Sequence, residues 1–367
     1  MSKYDIDSHY IKDYHIHIDI IPRCLYFKKP VKTSRGTYTH RKSWFLCASS
    51  RYNPMGIGEC APLPGLSCDD IPEYETVLSA ICEKFNRTGI INLEELRPYP
   101  SILFGLETAF QHHFANSTTL WVTRFSRRIE GIPINGLVWM GSYEDMARQV
   151  EEKLEAGFRC IKLKIGAINF DDELALLKQI RARFSAQEIE LRVDANGAFS
   201  PDEAMMKLNR LAELDIHSIE QPIRAGQWEE MARLTAISPI PIALDEELID
   251  CNTPEQKREL LSFIRPQYII LKPSLHGGLH GCDEWIEEAR KLQIGWWATS
   301  ALESNIGLNA IAQWCSTYDW SYENMLPQGL GTGEIFTNNC ERLSIVRNGH
   351  LWIYPPDTDV RKSFASW

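Results

Sequence analysis

The chain has 367 residues, 44% hydrophobic and 24% charged, a composition ordinary for a globular protein with one large core and a smaller one. Its formal charge is −10, from 49 acidic against 39 basic residues without a basic run, which disfavours nucleic acid and anionic membrane as partners and favours a small molecule. The segment MSKYDIDSHYIKD is too polar for a signal peptide, no apolar run approaches membrane-span length, and the ten cysteines lack a C-x-x-C pair, so reduced thiols and a cytoplasmic setting are expected.

Residues 1 to about 125 mix strand-like segments (YHIHIDII, SWFLCASS, GIGECAP) with helical ones (PEYETVLSAICEKF, SILFGLETAFQHHF), the pattern of an α+β domain. From Ile132 onward a short apolar strand followed by an amphipathic helix recurs. The strands are IPINGLVW, CIKLKIG, IELRVDAN, IHSIEQP, IPIALDE, YIILKP, GWWATSALES and NMLPQGLGTG, eight in all. Lys164, Asp194, Glu220, Asp245, Lys272 and Ser300 stand at or near the ends of successive strands, 25 to 30 residues apart, one βα unit each. A parallel (β/α) barrel gathers such positions around one mouth. An open doubly wound sheet would set them in a row and would normally carry a Gly-rich nucleotide fingerprint, which is absent. The predicted architecture is therefore α/β: an N-terminal α+β domain (1–125), a (β/α) barrel (126–335) and a C-terminal segment (336–367) packing back on the first domain.

Within CIKLKIG, Lys162 and Lys164 fall on one strand face while Ile161, Leu163 and Ile165 fall on the other, toward the surrounding helices. Asp194, Glu220 and Asp245 come from three adjacent strands and would repel one another in a low-dielectric mouth unless a cation joins them. An all-oxygen set with open positions suits Mg²⁺, with Mn²⁺ in its place; a buried network of these acids with the lysines is the competing account. Given a metal and flanking lysines, the chemistry that follows is proton abstraction α to a carboxylate, with Lys272 and Lys162 beside the developing charge. Crowding of two lysines is expected to lower the pKa of one, so that it serves as base near neutrality.

The K-x-K, D-A-N, E-Q-P, L-D-E and K-P-S elements, in this order and spacing, resemble the enolase superfamily, muconate-lactonizing subgroup, over nearly the whole chain. The resemblance implies an enolase-type modified TIM barrel with a capping domain whose loop PVKTSRGTYTHRKSW and hairpin GIGECAPLPG close over the substrate. LRVDAN, LKPSLHGG and TSALESNIGLNAIAQW tilt it toward the members that eliminate water from a succinyl-hydroxycyclohexadiene carboxylate in menaquinone biosynthesis. Lys164 is then base and acid in turn, and Lys272 stabilises the charged intermediate. Arg192, Asn196, Ser300 and Gly329, with Ser34 and Arg35 of the capping loop, are the implied substrate-binding set. Racemases and epimerases of the subgroup share every ligand. Their dipeptide-specific members carry a D-x-D after the eighth strand, where this chain has QGLGTGEIF, which leaves an N-succinylamino acid open as substrate.

Other readings weigh less. A Schiff-base aldolase would also place a lysine in a barrel mouth but needs no triple-carboxylate site, and a non-catalytic metal-binding barrel remains an alternative. His15, His17, His276 and His280 are assigned no role, and HGGLHG reads as a tight turn. Glu246 is expected to orient a ligand or lysine rather than bind metal. A homo-oligomer is left open.

Overall fold

The computed structural model describes residues 15–33, 36–52, 55–318 and 325–354. The N-terminal part is an antiparallel sheet of β1 (His17–Thr33), β2 (Gly36–Ser49) and β3 (Gly56–Cys60), in that order. It is backed by α1 (Tyr74–Thr88), the short α2 (Leu93–Leu96) and α3 (Pro100–Ala115). Of the stretch PVKTSRGTYTHRKSW, expected to be a loop, residues 30–33 and 36–44 are instead strand in the far half of the β1–β2 ribbon, in register from Val31 against Tyr38 to Thr33 against Gly36. Its β-branched residues suit a pleated surface, and the sequence lacks a Pro or Gly cluster that would interrupt it. GIGECAPLPG is likewise a strand and the turn after it rather than a hairpin. Gly58 permits that strand to lie on α3: a Cβ there would stand 1.9 Å from the Gly105 carbonyl.

The strand after this cap, β4 (Ile132–Pro133), belongs to the barrel base. Then come β5 (Gly136–Val138), α4 (Tyr143–Glu155), β6 (Cys160–Lys164), α5 (Phe170–Arg183), β7 (Glu190–Asp194), α6 (Pro201–Ala212), β8 (Ser218–Glu220) and α7 (Trp228–Ile237). The alternation continues with β9 (Ile242–Leu244), α8 (Pro254–Ile264), β10 (Tyr268–Leu271), α9 (Gly278–Lys291), β11 (Gly295–Ala298) and α10 (Asn305–Cys315). Helix starts carry their own signals: Ser142 caps α4, Ser200 forms a capping box with Glu203, and Thr253 one with Gln256.

The seven strands β5 to β11 pair in parallel in sequence order. The eighth expected strand shrinks to two bridging residues, Gln328 and Gly329. Gln328 pairs with Ile134 next to β5, and Gly329 with Thr299 next to β11, so the two edges meet. Backbone bonds Gly329 N to Ala298 O (2.7 Å), Ser300 N to Gly329 O (3.1 Å) and Gln328 N to Pro133 O (2.8 Å) complete the closure. A Cβ on Gly329 would stand 2.4 Å from Thr299 Oγ1, so the seam admits only glycine.

Outward strand residues such as Ile161, Leu163, Val193, Ile219, Leu244 and Leu271 join the helices in the main core. The hairpin of β12 (Ser344–Arg347) and β13 (His350–Ile353) pairs with β4 at the barrel base, while Phe336 and Thr337 run along β1. Buried acids dock the cap on the barrel at helix N-termini. Glu59 accepts from Ser304 N and Gly307 N at the start of α10, and Glu107 from Leu279 N and His280 N at the start of α9. Among the described residues no helix is long and apolar enough to cross a membrane.

Candidate active site

Strand alternation decides which side chains share the barrel interior. Residues of one parity point inward on every strand. The lower layer holds Arg192, Ser218, Ala243, Ile270 and Trp297; two residues further on, at the mouth, come Asp194, Glu220, Asp245, Lys272 and Thr299. Adjacent register aligns them: Lys164 lies opposite Asp194, and Asp194 opposite Glu220. The lower layer is plugged by Ala243, Ile270 and Trp297, so the cavity opens only above it. It is a cleft of about 1070 Å³ including its mouth, lined by Lys162, Lys164, Asp194, Glu220 and Lys272 below and by Tyr38, Leu63, Leu66, Trp139 and Leu302 above.

The lysines and acids interleave. Lys162 Nζ lies 2.6 Å from Glu220 Oε2 and 3.1 Å from Asp194 Oδ2, and Lys164 Nζ lies 2.9 Å from the same Asp194 oxygen. Lys272 Nζ pairs with Asp245 Oδ2. Asp194 therefore absorbs the repulsion that the K-x-K pair was expected to suffer. Lys162 is itself held above its ordinary value: burial would depress its pKa, but Asp194 and Glu220 outweigh burial. Asp194 is held well below the usual carboxylate range, because Lys162 and Lys164 overcome the opposing effect of burial. Glu220, pushed up by burial and by Asp194 against the pull of Lys162, reaches about 8. Lys272 holds Asp245 below its ordinary value in spite of burial.

Among the described residues no group of three or more His, Cys, Asp or Glu side chains is disposed to hold a metal ion as it stands; ammonium groups stand between the acids. The donor chemistry nevertheless fits a hard divalent cation. Asp194, Glu220 and Asp245 offer oxygens only, and Glu220 Oε1 and Asp245 Oδ1 are buried without any hydrogen-bond partner. Two orphaned carboxylate oxygens in a dry site are costly unless a cation receives them.

Other expected residues divide. Asn196 lines the cleft with φ +45°, a left-handed conformation that asparagine tolerates. Its Oδ1 accepts from Lys164 Nζ at 2.7 Å and its Nδ2 donates to Glu246 Oε1 at 3.0 Å, so Glu246 orients the lysine through Asn196. Ser300 lines the cleft and donates to Glu303 Oε2 at 2.7 Å. Gly329 contributes backbone only.

Arg192 does not reach the cleft. Parity places it one layer too low, over the Trp297 ring (4.1 Å), bonded to Glu190 (2.7 Å) and the Pro327 carbonyl (2.9 Å). It is a structural residue of the plug rather than part of a substrate-binding set. Ser34 and Arg35 lie outside the described residues. His276, given no role from sequence, accepts the Lys272 backbone N–H through Nδ1 at 3.0 Å and fixes the strand end. Thr299 and Asn135, also unremarked, line the cleft; the strand parity of Lys272 extended to β11 would have pointed to Thr299.

Comparison with known proteins places this geometry. The family model described as enolase C-terminal domain-like matches residues 145–352. The o-succinylbenzoate synthase of Desulfotalea psychrophila is 44% identical over 367 aligned residues, covering 90% of this chain and 96% of that protein. The crystal structure of MenC from Desulfotalea psychrophila matches with a TM-score of 0.80 at 40% identity, covering 92% of this chain and 99% of the other. The L-Ala-D/L-Glu epimerase of Bacillus subtilis in a substrate-liganded complex matches at 0.78 and 20% identity, covering 94% and 97%, a likeness of fold alone. The chain thus belongs to the enolase superfamily and, by likeness over nearly the full length of both proteins, to the family of the Desulfotalea o-succinylbenzoate synthase.

Proposed function

We propose that the protein is an o-succinylbenzoate synthase, a lyase that dehydrates a succinyl-hydroxycyclohexadiene carboxylate to the aromatic acid of menaquinone biosynthesis. The observation that carries this reading is the convergence of Lys164 and Lys272 on one cleft, above three buried carboxylates, in a chain 44% identical to such an enzyme. Asp194, Glu220 and Asp245 would hold the divalent metal used across the superfamily, proposed here as Mg²⁺ with Mn²⁺ as substitute. Bound there, it would withdraw electron density from the substrate carboxylate and make the adjacent C–H acidic.

The chain's own residues supply the rest. Lys164, steered by Asn196 and Asp194, faces the cleft and takes the proton α to the carboxylate. The same nitrogen then returns a proton to the departing hydroxyl on the same ring face, so one C–H and one C–O bond break, a C=C bond forms and water leaves. Lys272, held by Asp245 and by His276 on its backbone, places its ammonium beside the negative charge that develops. Lys162, deeper and flanked by Glu220 and Asp194, contributes positive charge to the floor. The apolar roof excludes water from the intermediate.

The test is dehydration of the synthetic substrate by purified protein, followed by ultraviolet absorbance of the aromatic product. Activity should vanish after dialysis against EDTA and return with Mg²⁺ or Mn²⁺. Full activity in metal-free protein would remove Asp194, Glu220 and Asp245 from the role given to them.

A further inference from the structure

Arg41 sits on β2 in the cap and is 1% exposed; the buried carboxylates of Glu303 and Glu59 act on its charge, but its hydrogen bonds among the described residues do not go to them. Its guanidinium donates instead to four backbone carbonyls. Nη1 reaches Ala301 O (2.5 Å) and Leu302 O (2.6 Å) in the barrel loop after β11, and Nη2 reaches Ala61 O (2.5 Å) and Pro62 O (3.3 Å) in the cap turn after β3. Both segments furnish the roof of the cleft: Leu63 and Leu66 from the cap, Ala301 and Leu302 from the barrel, in one apolar cluster. Burying a charge is costly unless hydrogen bonds meet it, and an apolar residue of similar volume would avoid that cost. Here the hydrogen bonds join two loops from different domains.

The barrel side of this joint is unusual in its backbone. Leu302 adopts φ +65°, a conformation that a branched residue avoids. Its N–H donates to Ser300 Oγ (3.0 Å), and Ser300 in turn donates to Glu303, which also accepts from Ser274, two residues beyond Lys272. Arg41 grips the Leu302 carbonyl, completing a chain of contacts from the sixth-strand loop through the roof to the cap. Loss of the guanidinium frees Leu302 to leave the left-handed region and the turn at Ala61 to move off the barrel.

From this geometry we infer that Arg41 is a positioning residue: it clamps the cap turn 61–66 to the barrel loop 300–302 and so sets the height of the apolar roof over the lysine floor. The inference rests on the synthase reading for its kinetic consequence but not for its structural one. Arg41→Met removes all four bonds, and Arg41→Lys offers one nitrogen in place of two. Glu107→Gln serves as a docking control, since it exchanges the carboxyl for an amide at a cap–barrel contact at α9 away from the cleft.

Two readouts separate the clamp from a general loss of stability. In Arg41→Met, amide hydrogen exchange should quicken in segments 61–67 and 300–303 together, while Glu107→Gln leaves both at the parental rate. KM for the cyclohexadiene substrate should rise about tenfold with kcat nearly kept, the pattern of lost uniform binding, and Arg41→Lys should lie between. If Arg41→Met fails to fold, Arg41→Lys carries both measurements. The inference is overturned if exchange quickens in only one loop or in neither, or if Glu107→Gln gives the same exchange and kinetic pattern. A parent protein that shows no dehydration, with the paired exchange effect intact, would sink the synthase reading and leave the clamp standing.

Discussion

Lys162→Met keeps most of the stem volume and removes the ammonium that separates two buried acids. The Lys162 side chain is 6% exposed, and those of Asp194 and Glu220 are 1% and 3%, so water cannot replace the lost partner. Breaking a buried ion pair by removing one member costs about 3–5 kcal/mol. Two features hold the effect at the lower end near neutral pH. Asp194 keeps Lys164 at 2.9 Å, and Glu220, already pushed up to about 8 by burial and by Asp194, takes a proton in place of its partner. About 3 kcal/mol at pH 7 corresponds to a fall of roughly 6–12 °C in unfolding midpoint for a unit of some 200 residues. The loss should grow as pH rises past about 8 toward pH 9, where the parent Glu220 ionises beside Lys162 while the variant must still hold the proton. With Mg²⁺ present it should shrink, since the cation neutralises the same carboxylates and no longer competes with Lys162 for them. Thermal unfolding by near-ultraviolet circular dichroism, in EDTA and in Mg²⁺ at both pH values, measures all four quantities. An equal loss with and without Mg²⁺ would refute the reasoning, as would a loss under about 1 kcal/mol in EDTA, the level of an exposed pair.

Lys164→Ala should lower kcat for dehydration by at least about 10³, because base and acid are one group; a loss under tenfold would assign the proton transfer elsewhere. Lys272→Ala should cost about 10²–10³ in kcat, the usual size for a lost charge-stabilising donor, read in the same ultraviolet assay. Arg192→Met should destabilise the barrel by about 2–4 kcal/mol through the lost Glu190 and Pro327 bonds, with KM within twofold of the parent; a large KM change would restore Arg192 to the substrate. Glu107 is pushed up to about 8 by burial, against the pull of the His280 and Leu279 N–H groups. The folded chain then binds a proton that the unfolded chain has released above the ordinary glutamate range, so this group makes stability fall as pH rises toward about 8. In Mg²⁺-saturated protein, Glu107→Gln should flatten that fall in a pH series of unfolding midpoints.

The mouth was legible in the sequence because two periodicities locate it. Side chains two apart share a strand face, and one βα unit separates successive strand ends, so Lys164, Asp194, Glu220, Asp245 and Lys272 announce themselves. Arg192, assigned to the substrate only by the resemblance of LRVDAN, is bonded to Glu190 and the Pro327 carbonyl instead. The same two-residue period that links it to the interior also drops it one layer, into the Trp297 plug. Ser300 was chosen where parity favoured Thr299, and both line the cleft. A buried network of the lysines and acids is an open reading of the sequence, but its pairing is not legible, since it depends on which ammonium reaches which oxygen between residues 27 to 58 positions apart. Glu59 was expected in a lid that orders over ligand. Fully buried on β3, it accepts from Ser304 N and Gly307 N at the start of α10, 245 and 248 positions away. Arg41 carried no signal at all: in THRKSW it is one basic residue among several, and only the carbonyls that surround it distinguish it.

The proposed division of labour gives all proton transfer to Lys164 and charge stabilisation to Lys272, in a site built for dehydration. It is tested most directly by comparing kcat/KM for the cyclohexadiene substrate with kcat/KM for racemisation of an N-succinylamino acid in D₂O, on one preparation of Mg²⁺-loaded protein. Dehydration should be far the faster, and Lys164→Ala should abolish it. Racemisation equal to or faster than dehydration would contradict the account. So would retention of α-proton exchange for one enantiomer in Lys164→Ala and for the other in Lys272→Ala, because that result makes Lys272 a second proton-transfer group.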